Sequence, residues 1–309
     1  MTKRCPLTYQ TIAEDERYSA AGLKKLKTAT LHDLEWSAEE QRDEARNRVT
    51  KLSIQGVQLK LSAKLNRSQG RFKLVDVGGK YILKPPSADY HHMPENEDLT
   101  MRLAKACNID VPLHGLLYAK DGSLTYVIER FDRQGHQKIA VEDFAQLSGL
   151  SRHTKYDASM EQVLEVINTH CTFPVIERVE LLRRMLFCFL AGNEDMHLKN
   201  FSLIVRNGKV TFSPAYDLLN STLLLGNAAQ EEIALPLNGK KRNLKRKTFI
   251  DYFAIERMEL NLPTVEGVLS DLTNAAPTWM TLIESSFLSD AEKAAYKKLI
   301  AARASVLGL

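Results

Sequence analysis

The sequence is short of several things that would narrow its class at once. Its four cysteines, Cys5, Cys107, Cys171 and Cys188, lie far apart, with no CxxC pair and no Cys/His spacing of a metal-ligand set. That argues against a disulfide framework or a zinc module and for reduced thiols buried in a cytoplasmic chain. Long apolar runs are missing too. The longest, Met185 to Gly192, covers eight residues, far below the ~20 that a bilayer span needs. The opening MTKRCPLTYQ turns polar at once with no apolar h-region, so no signal peptide, no membrane role and a cytoplasmic location are expected. No internal repeat or low-complexity tract is visible, and neither sign of charge dominates: 42 Lys and Arg against 38 Asp and Glu give +4. A surplus that small predicts no general affinity for nucleic acid.

What remains is ordinary globular material. Apolar residues make up 44% and charged residues 26% of 309, enough for one large domain or two lobes with a sizeable core. The first fifty residues are charge-rich, and Glu39 to Arg48 reads as an exposed helix or a linker. From Leu52 to Lys84 the pattern shifts to short β-type runs (KLSIQGVQLKLSAKL, RFKLVDV, KYILK) punctuated by Asn66 to Gly70 and Gly78-Gly79. A helix is expected over Glu95 to Ala106. Two further strands, HGLLYA and LTYVIERF, are joined by Lys120-Asp121-Gly122, whose Asp-Gly pair suits a tight hairpin. Beyond Val141 helices dominate, at Glu161 to Asn168, at Glu177 to Ala191 and over the last fifty residues. FSLIV and KVTFSPAYD, around Asn207-Gly208, interrupt them as a hairpin. The expected class is α+β in two lobes: a charged lead-in over 1–50, a β-rich N-lobe over 51–135 and a mostly helical C-lobe over 136–309.

The densest group of catalytic residue types is GNEDMHLKN, Gly192 to Asn200, between a strongly apolar helix and a strand. Asp195 and Asn200 stand five residues apart, and Asp217 comes after the next hairpin. A kinase catalytic loop is built on that logic, with an Asp orienting the attacking hydroxyl and an Asn and a later Asp binding the metals that bridge the ATP phosphates. Lys199 offers a cation for the transferring phosphoryl group. Upstream, Lys84 ends a strand as a lysine holding the α and β phosphates would, and Glu97 lies near the start of the next helix, where it could pair with Lys84. Ser53-Ile54-Gln55-Gly56 takes the place of a phosphate-covering loop, though with a single glycine. Each feature alone has a plain explanation: a solvated polar loop, a surface lysine, an acid favoured near a helix N-terminus. Their order along the chain is that of a protein kinase.

With those residues in view, the sequence resembles the HipA family of bacterial toxin kinases, and most closely its short HipT branch. The likeness rests on LSIQGVQLKLSA, YILKPP, PENEDLTMRLAKACNI, VIERFDR, VEDFAQLSGL, DMHLKNFSLI and SPAYDLLNS, in family order. Neither HRD nor DFG is present, so an ordinary eukaryotic-type kinase is the poorer match. The resemblance implies a bilobal protein-kinase-like fold and an ATP- and Mg2+-dependent serine/threonine kinase. It implies that Asp195 is the catalytic base, Asn200 and Asp217 are metal ligands, and Lys84 and Glu97 are the phosphate lysine and its partner. Glu129 and Phe131 would belong to the segment whose backbone holds adenine. Gly56 would lie in the phosphate loop, His197 and Lys199 would belong to the catalytic loop, and Ser53 would be an autophosphorylation site. A phosphoserine there would repel the ATP phosphates and switch the kinase off. The second serine that the HipT branch can carry is replaced here by Gln55, which favours a single-site switch.

Longer HipA proteins carry a β-rich subdomain ahead of the serine loop. Only about fifty residues precede it here, so the resemblance implies a separate HipS-like protein, together with a HipB-like protein through which alone DNA would be met. The implied substrate is an aminoacyl-tRNA synthetase, tryptophanyl- or glutamyl-type, free or with its tRNA. Two other classes compete with this one: a small-molecule phosphotransferase, whose loop more often reads HxDxxxxN, and a pseudokinase, against which the intact Lys84, Asp195, Asn200 and Asp217 argue. The +4 surplus proves to be local. Gly239 to Lys247, GKKRNLKRK, holds six basic residues and no acid, so the rest of the chain sums to 36 − 38 = −2. That segment is either a solvated loop or a dock for an anionic surface.

Overall fold

The protein is described here by a computed structural model covering residues 3–50, 58–135, 137–150, 156–229 and 231–309. Ser53 and Gly56 lie outside the described residues. The chain forms two compact units. The first comprises Met1–Leu99, Pro112–His136 and Glu284–Leu288, and the second Thr100–Val111, Gln137–Ile283 and Ser289–Leu309. A single cut near residue 135 therefore misplaces two stretches, because periodicity identifies an element without telling which core it joins.

In the first unit, helices α1 (Ala20–Leu26) and α2 (Ala38–Thr50) precede strands β1 (Leu61–Asn66), β2 (Arg71–Leu74) and β3 (Tyr81–Lys84). Helix α3 (Met93–Ala106), which begins in this unit, and strands β4 (His114–Tyr118) and β5 (Leu124–Glu129) come next. The strands form an antiparallel sheet in the order β2-β1-β3-β5-β4. The β4–β5 connection has Gly122 at φ +81° and an Ala119 carbonyl accepting from the Gly122 amide at 2.9 Å, the left-handed position that an Asp-Gly turn supplies cheaply. Register puts Leu61 beside Leu83 and Leu83 beside Val127, so period-two alternation places Leu61, Ala63, Tyr81, Leu83, Leu117 and Val127 on one face.

That face is covered by Cys5, Leu7, Ile12, Tyr18, Leu26, Leu34 and Ala45. The first fifty residues are thus not a charged lead-in but half of this core. Helix α2 is not simply exposed either: Ala38, Gln41 and Ala45 are buried, and the Gln41 carboxamide accepts from Thr125 Oγ1 at 3.0 Å. The charge of EEQRDEARNR lies on the remaining surface, where it masks a narrow buried stripe from any compositional reading.

In the second unit, strand β6 (Val141–Asp143) leads into the short helix α4 (Phe144–Leu147). Helices α5 (Met160–His170) and α6 (Pro174–Ala191) come next, then strands β7 (Ser202–Arg206) and β8 (Lys209–Phe212). The three strands pair antiparallel in the order β8-β7-β6. Asn207 and Gly208, at φ 52° and 72°, make the tight turn that their sequence forecasts. Phe144, Phe201 and Phe212 pack under this sheet with ring centroids 5.6–6.0 Å apart. Helix α5 starts at a reciprocal Ser159/Gln162 capping box. The last two turns of α6, Met185 to Ala191, are buried on every side, as expected of a helix apolar all round. Helices α7 (Ser221–Leu225), α8 (Leu262–Ser285) and α9 (Asp290–Leu307) complete the elements used below. Among the described residues no helix is long and apolar enough to cross a membrane. All four cysteines are free and buried, and burial pushes the thiols of Cys107, Cys171 and Cys188 up to about 12.

Candidate active site

The second unit presents GNEDMHLKN as a loop pinned at both ends. Helix α6 stops at Gly192, whose φ is +73°. A Cβ there would come 2.4 Å from Leu299 Cδ2 and 2.8 Å from Asn220 Oδ1, so both the conformation and the space require glycine. The amide of Glu194 donates to Ser221 Oγ at 2.6 Å, and that of Thr222 donates to the Gly192 carbonyl at 3.0 Å. The start of α7 therefore anchors the loop.

Asp195 is held through its backbone and offers its carboxylate. Its amide donates to Asn193 Oδ1 at 2.9 Å, while its carbonyl accepts from the His197 amide at 2.8 Å and from Asn200 Nδ2 at 2.9 Å. The side chain stays 45% exposed, open enough for an incoming hydroxyl to reach it. Asn200 is buried, and spending its NH2 group on the Asp195 carbonyl leaves the Oδ1 end for a cation. His197 is buried, with Nε2 3.9 Å from Asp195 Oδ1, a supporting distance rather than a hydrogen bond. Lys199 is half-buried, and its carbonyl accepts from the Tyr216 hydroxyl at 2.9 Å. Tyr216 also bonds Ser202 Oγ, and burial pushes its phenol above the usual range. It thereby ties the 192–200 loop to its own neighbour Asp217, which sits at φ +54°, a left-handed conformation that aspartate tolerates better than most residues.

Tyr156 joins the site without any warning from the sequence. Its hydroxyl donates to Asp195 Oδ1, and its ring meets the His197 ring edge-on at 5.0 Å. Partial burial, then the Asp195 carboxylate, push its phenol above the usual range. Nothing in the spacing of the sequence marks it, because the contact spans 39 residues.

In the first unit, β3 ends with Lys84 pointing away from the core face, toward α3. Lys84 Nζ lies 2.6 Å from Glu97 Oε1, with the two side chains 5% and 0% exposed. Gln58 Nε2 donates to the other Glu97 oxygen at 3.4 Å, and Lys84 stands 5.6 Å from the ring centroid of its cross-strand neighbour Tyr126. The next residue of α3, Asp98, makes a second buried pair, 2.7 Å from His114 Nδ1 on β4. This pair too escapes sequence reading. Glu129 ends β5 with its carboxylate 2.9 Å from Lys80. The amides of Glu129 and Arg130 are already bonded, to the Leu113 and Lys80 carbonyls, both at 2.8 Å. Any adenine contact in this segment must therefore use other groups; Phe131 lies two residues further on, half-buried.

The HipA-like C-terminal domain pattern matches residues 52–280, about three quarters of the chain. The chain belongs to the HipA-like C-terminal domain family. Its relatives include a protein named as a kinase in Haemophilus influenzae, 35% identical over 243 residues, which are 70% of this chain and 69% of that one. A second is Y4dM of Sinorhizobium fredii, also named as a kinase, 35% identical over 202 residues, 58% of this chain and 47% of Y4dM. The serine/threonine-protein kinase toxin HipA of Shewanella oneidensis is 30% identical over 195 residues, 55% of this chain and 43% of the toxin. Apart from the Haemophilus protein, the chain spans under half the length of these relatives. The fold matches a Shewanella oneidensis structure of HipA with HipB and operator DNA, with a TM-score of 0.68, 22% identity and coverage of 96% of this chain and 80% of that one. It also matches the Helicobacter pylori kinase CtkA, with a TM-score of 0.56, 15% identity and coverage of 79% and 92%. The HipA-like chain is therefore α+β with a protein-kinase-like fold.

Proposed function

We propose that the chain is an ATP-dependent serine/threonine protein kinase acting as the toxin of a bacterial toxin-antitoxin system. The observation that carries this reading is the Lys84–Glu97 pair. Burying both charges costs several kcal/mol that their attraction alone does not reliably return, so stability is a poor reason for keeping them. A strand lysine held in place by a helix glutamate is the arrangement by which a protein kinase positions its phosphate lysine.

In this reading Asp195 accepts the proton of the acceptor hydroxyl while its backbone bonds fix the direction of the carboxylate. Lys84 holds phosphate oxygens, and Lys199 neutralises charge on the transferring group. Asn200 Oδ1 and Asp217 would hold Mg2+, which when bound supplies charge neutralisation on the phosphates. One amide and one carboxylate suit that ion, which keeps waters and phosphate oxygens in its shell. Among the described residues no group of three or more His, Cys, Asp or Glu side chains is gathered for a metal. Glu129 and Phe131 flank the adenine segment, Gly56 belongs to the phosphate loop, and His197 supports Asp195. Ser53 is the regulatory autophosphorylation site.

The Shewanella HipA structure holds HipB and operator DNA, which supports a HipB-like partner here. A HipS-like partner, membership of the HipT branch, a cytoplasmic location and an aminoacyl-tRNA synthetase substrate rest on the sequence resemblance. The test is to incubate the purified chain with Mg-ATP and a panel of synthetases and map the phosphosites by mass spectrometry. Phosphate on a synthetase serine that is lost in Asp195→Asn is the expected result. Modification of no protein, with a small acceptor consumed instead, would replace this reading with that of a small-molecule phosphotransferase.

A further inference from the structure

The contact between Tyr156 and Asp195 does more than support the loop. A phenolic O–H donating to the proposed base occupies the position that a substrate hydroxyl must take. The same ring lies 5.9 Å from Lys241 Nζ, measured to its centroid, and Lys241 belongs to the basic segment that the proposed reaction leaves without a role. That segment is built rather than loose. It opens on a tight turn, with Asn238 and Gly239 at φ 49° and 71° and reciprocal Leu237–Lys240 bonds of 2.9 and 3.0 Å. The Glu232 amide then donates to the Lys241 carbonyl at 2.8 Å, and the Leu244 amide to the Glu232 carboxylate at 2.9 Å. Lys240, Lys241 and Arg242, with Gly239, Asn243 and Glu231, line a surface pocket of about 510 Å³.

We propose that Tyr156 is an autophosphorylation site, its hydroxyl resting on Asp195 and its phosphate received by the Lys240–Lys241–Arg242 pocket. This rests on the kinase reading above. In the step, a bond forms between Tyr156 Oη and the γ-phosphorus of ATP as the bond from that phosphorus to the β,γ-bridging oxygen breaks. The phenolic proton passes to Asp195, and ADP leaves with the electron pair. The charges around the ring then decide where the phosphate goes. A phosphotyrosine carries about −1.5 to −2 charge and is repelled by Asp195 and by Glu231. It is attracted by Lys240, Lys241 and Arg242, with Lys241 exchanging its 3.3 Å contact with Glu231 for the phosphate. Three cations against one carboxylate in the pocket favour the move, which vacates Asp195 for an external hydroxyl. Unmodified Tyr156 therefore blocks the base, and modified Tyr156 frees it.

The experiment incubates the full chain with Mg-ATP and maps phosphopeptides over time, beside Asp195→Asn and Tyr156→Phe, with melting curves to confirm that both variants fold. Phosphate on Tyr156, absent from Asp195→Asn, is the expected result. Acceptor phosphorylation should show a lag that pre-incubation with ATP removes and that Tyr156→Phe lacks. A chain that phosphorylates Ser53 or a protein acceptor while Tyr156 stays unmodified overturns this inference and leaves the kinase reading standing. A chain that transfers phosphate to nothing overturns both.

Discussion

The two units treat their key carboxylates in opposite ways. Glu97 is fully buried and neutralised by a lysine at 2.6 Å. Asp195 is 45% exposed, with its backbone held by the loop and its charge met by a neutral hydroxyl, that of Tyr156, rather than by a buried cation. A buried charge is fixed by its counter-ion, so its direction and the fold's stability are one property. An exposed charge is fixed by backbone hydrogen bonds, so its chemistry can be removed while the fold stays. Asp98 with His114 repeats the first pattern beside Glu97, which makes α3 of the first unit the place where charge and fold are coupled.

The largest effect expected from that contrast is kinetic. Asp195→Asn keeps the size of the side chain and every backbone bond of the loop while removing the proposed proton acceptor. Phosphoryl transfer should fall ~10²–10⁴-fold, and the melting curve should move within about ±0.5 kcal/mol. Single-turnover kinetics beside calorimetry check both. A large loss of stability would mean that the carboxylate is structural after all, and the contrast would collapse.

Next in size is the buried pair. Glu97→Gln leaves the Lys84 ammonium without its counter-charge in a dry site and should cost about 3–5 kcal/mol. The double change Lys84→Met with Glu97→Leu removes both charges and should recover much of that stability while leaving transfer abolished. Denaturant unfolding of the single and double variants closes the cycle. Stability unchanged by Glu97→Gln would show that water reaches the pair.

How much of the molecule is legible in the sequence depends on how local each signal is. The Asn207-Gly208 turn, the Gly122 hairpin and the apolar end of α6 are written in adjacent residues and can be read from them. The strands of the first sheet are legible for the same reason, with β1 over Leu61–Asn66; the start of the expected run, Leu52 onward, lies outside the described residues. Packing of the first fifty residues is not legible. Its contacts come from single apolar residues, Cys5, Leu7, Ile12 and Leu34, in irregular chain with no period to detect. Lys84, Glu97, Asp195, Asn200 and Asp217 stand out because the phosphoryl transfer proposed for them would constrain residue type and order together. Tyr156 and the Asp98–His114 pair do not, since no spacing rule links residues brought together only by tertiary contact.

A third carboxylate sharpens the contrast at smaller scale. Glu177, at the start of α6 in the second unit, is buried like Glu97 but has no bonded cation among the described residues. It accepts from the Phe212 amide at 3.1 Å, with Arg184 only an electrostatic neighbour. Burial therefore dominates and raises its pKa above 4.5, so the folded state takes up a proton more readily than the unfolded one. Stability tied to this group is then fully present below the unfolded pKa and is lost as pH rises through the folded one. Glu177→Gln keeps an acceptor for Phe212 and has no charge to bury. The variant should match the parent near pH 4 and exceed it at pH 7 by under ~1 kcal/mol, read as a difference in Tm between the two pH values. A variant less stable at pH 7 would mean that the Arg184 field outweighs desolvation. Glu177 would then belong with Glu97, among the carboxylates whose charge the fold uses.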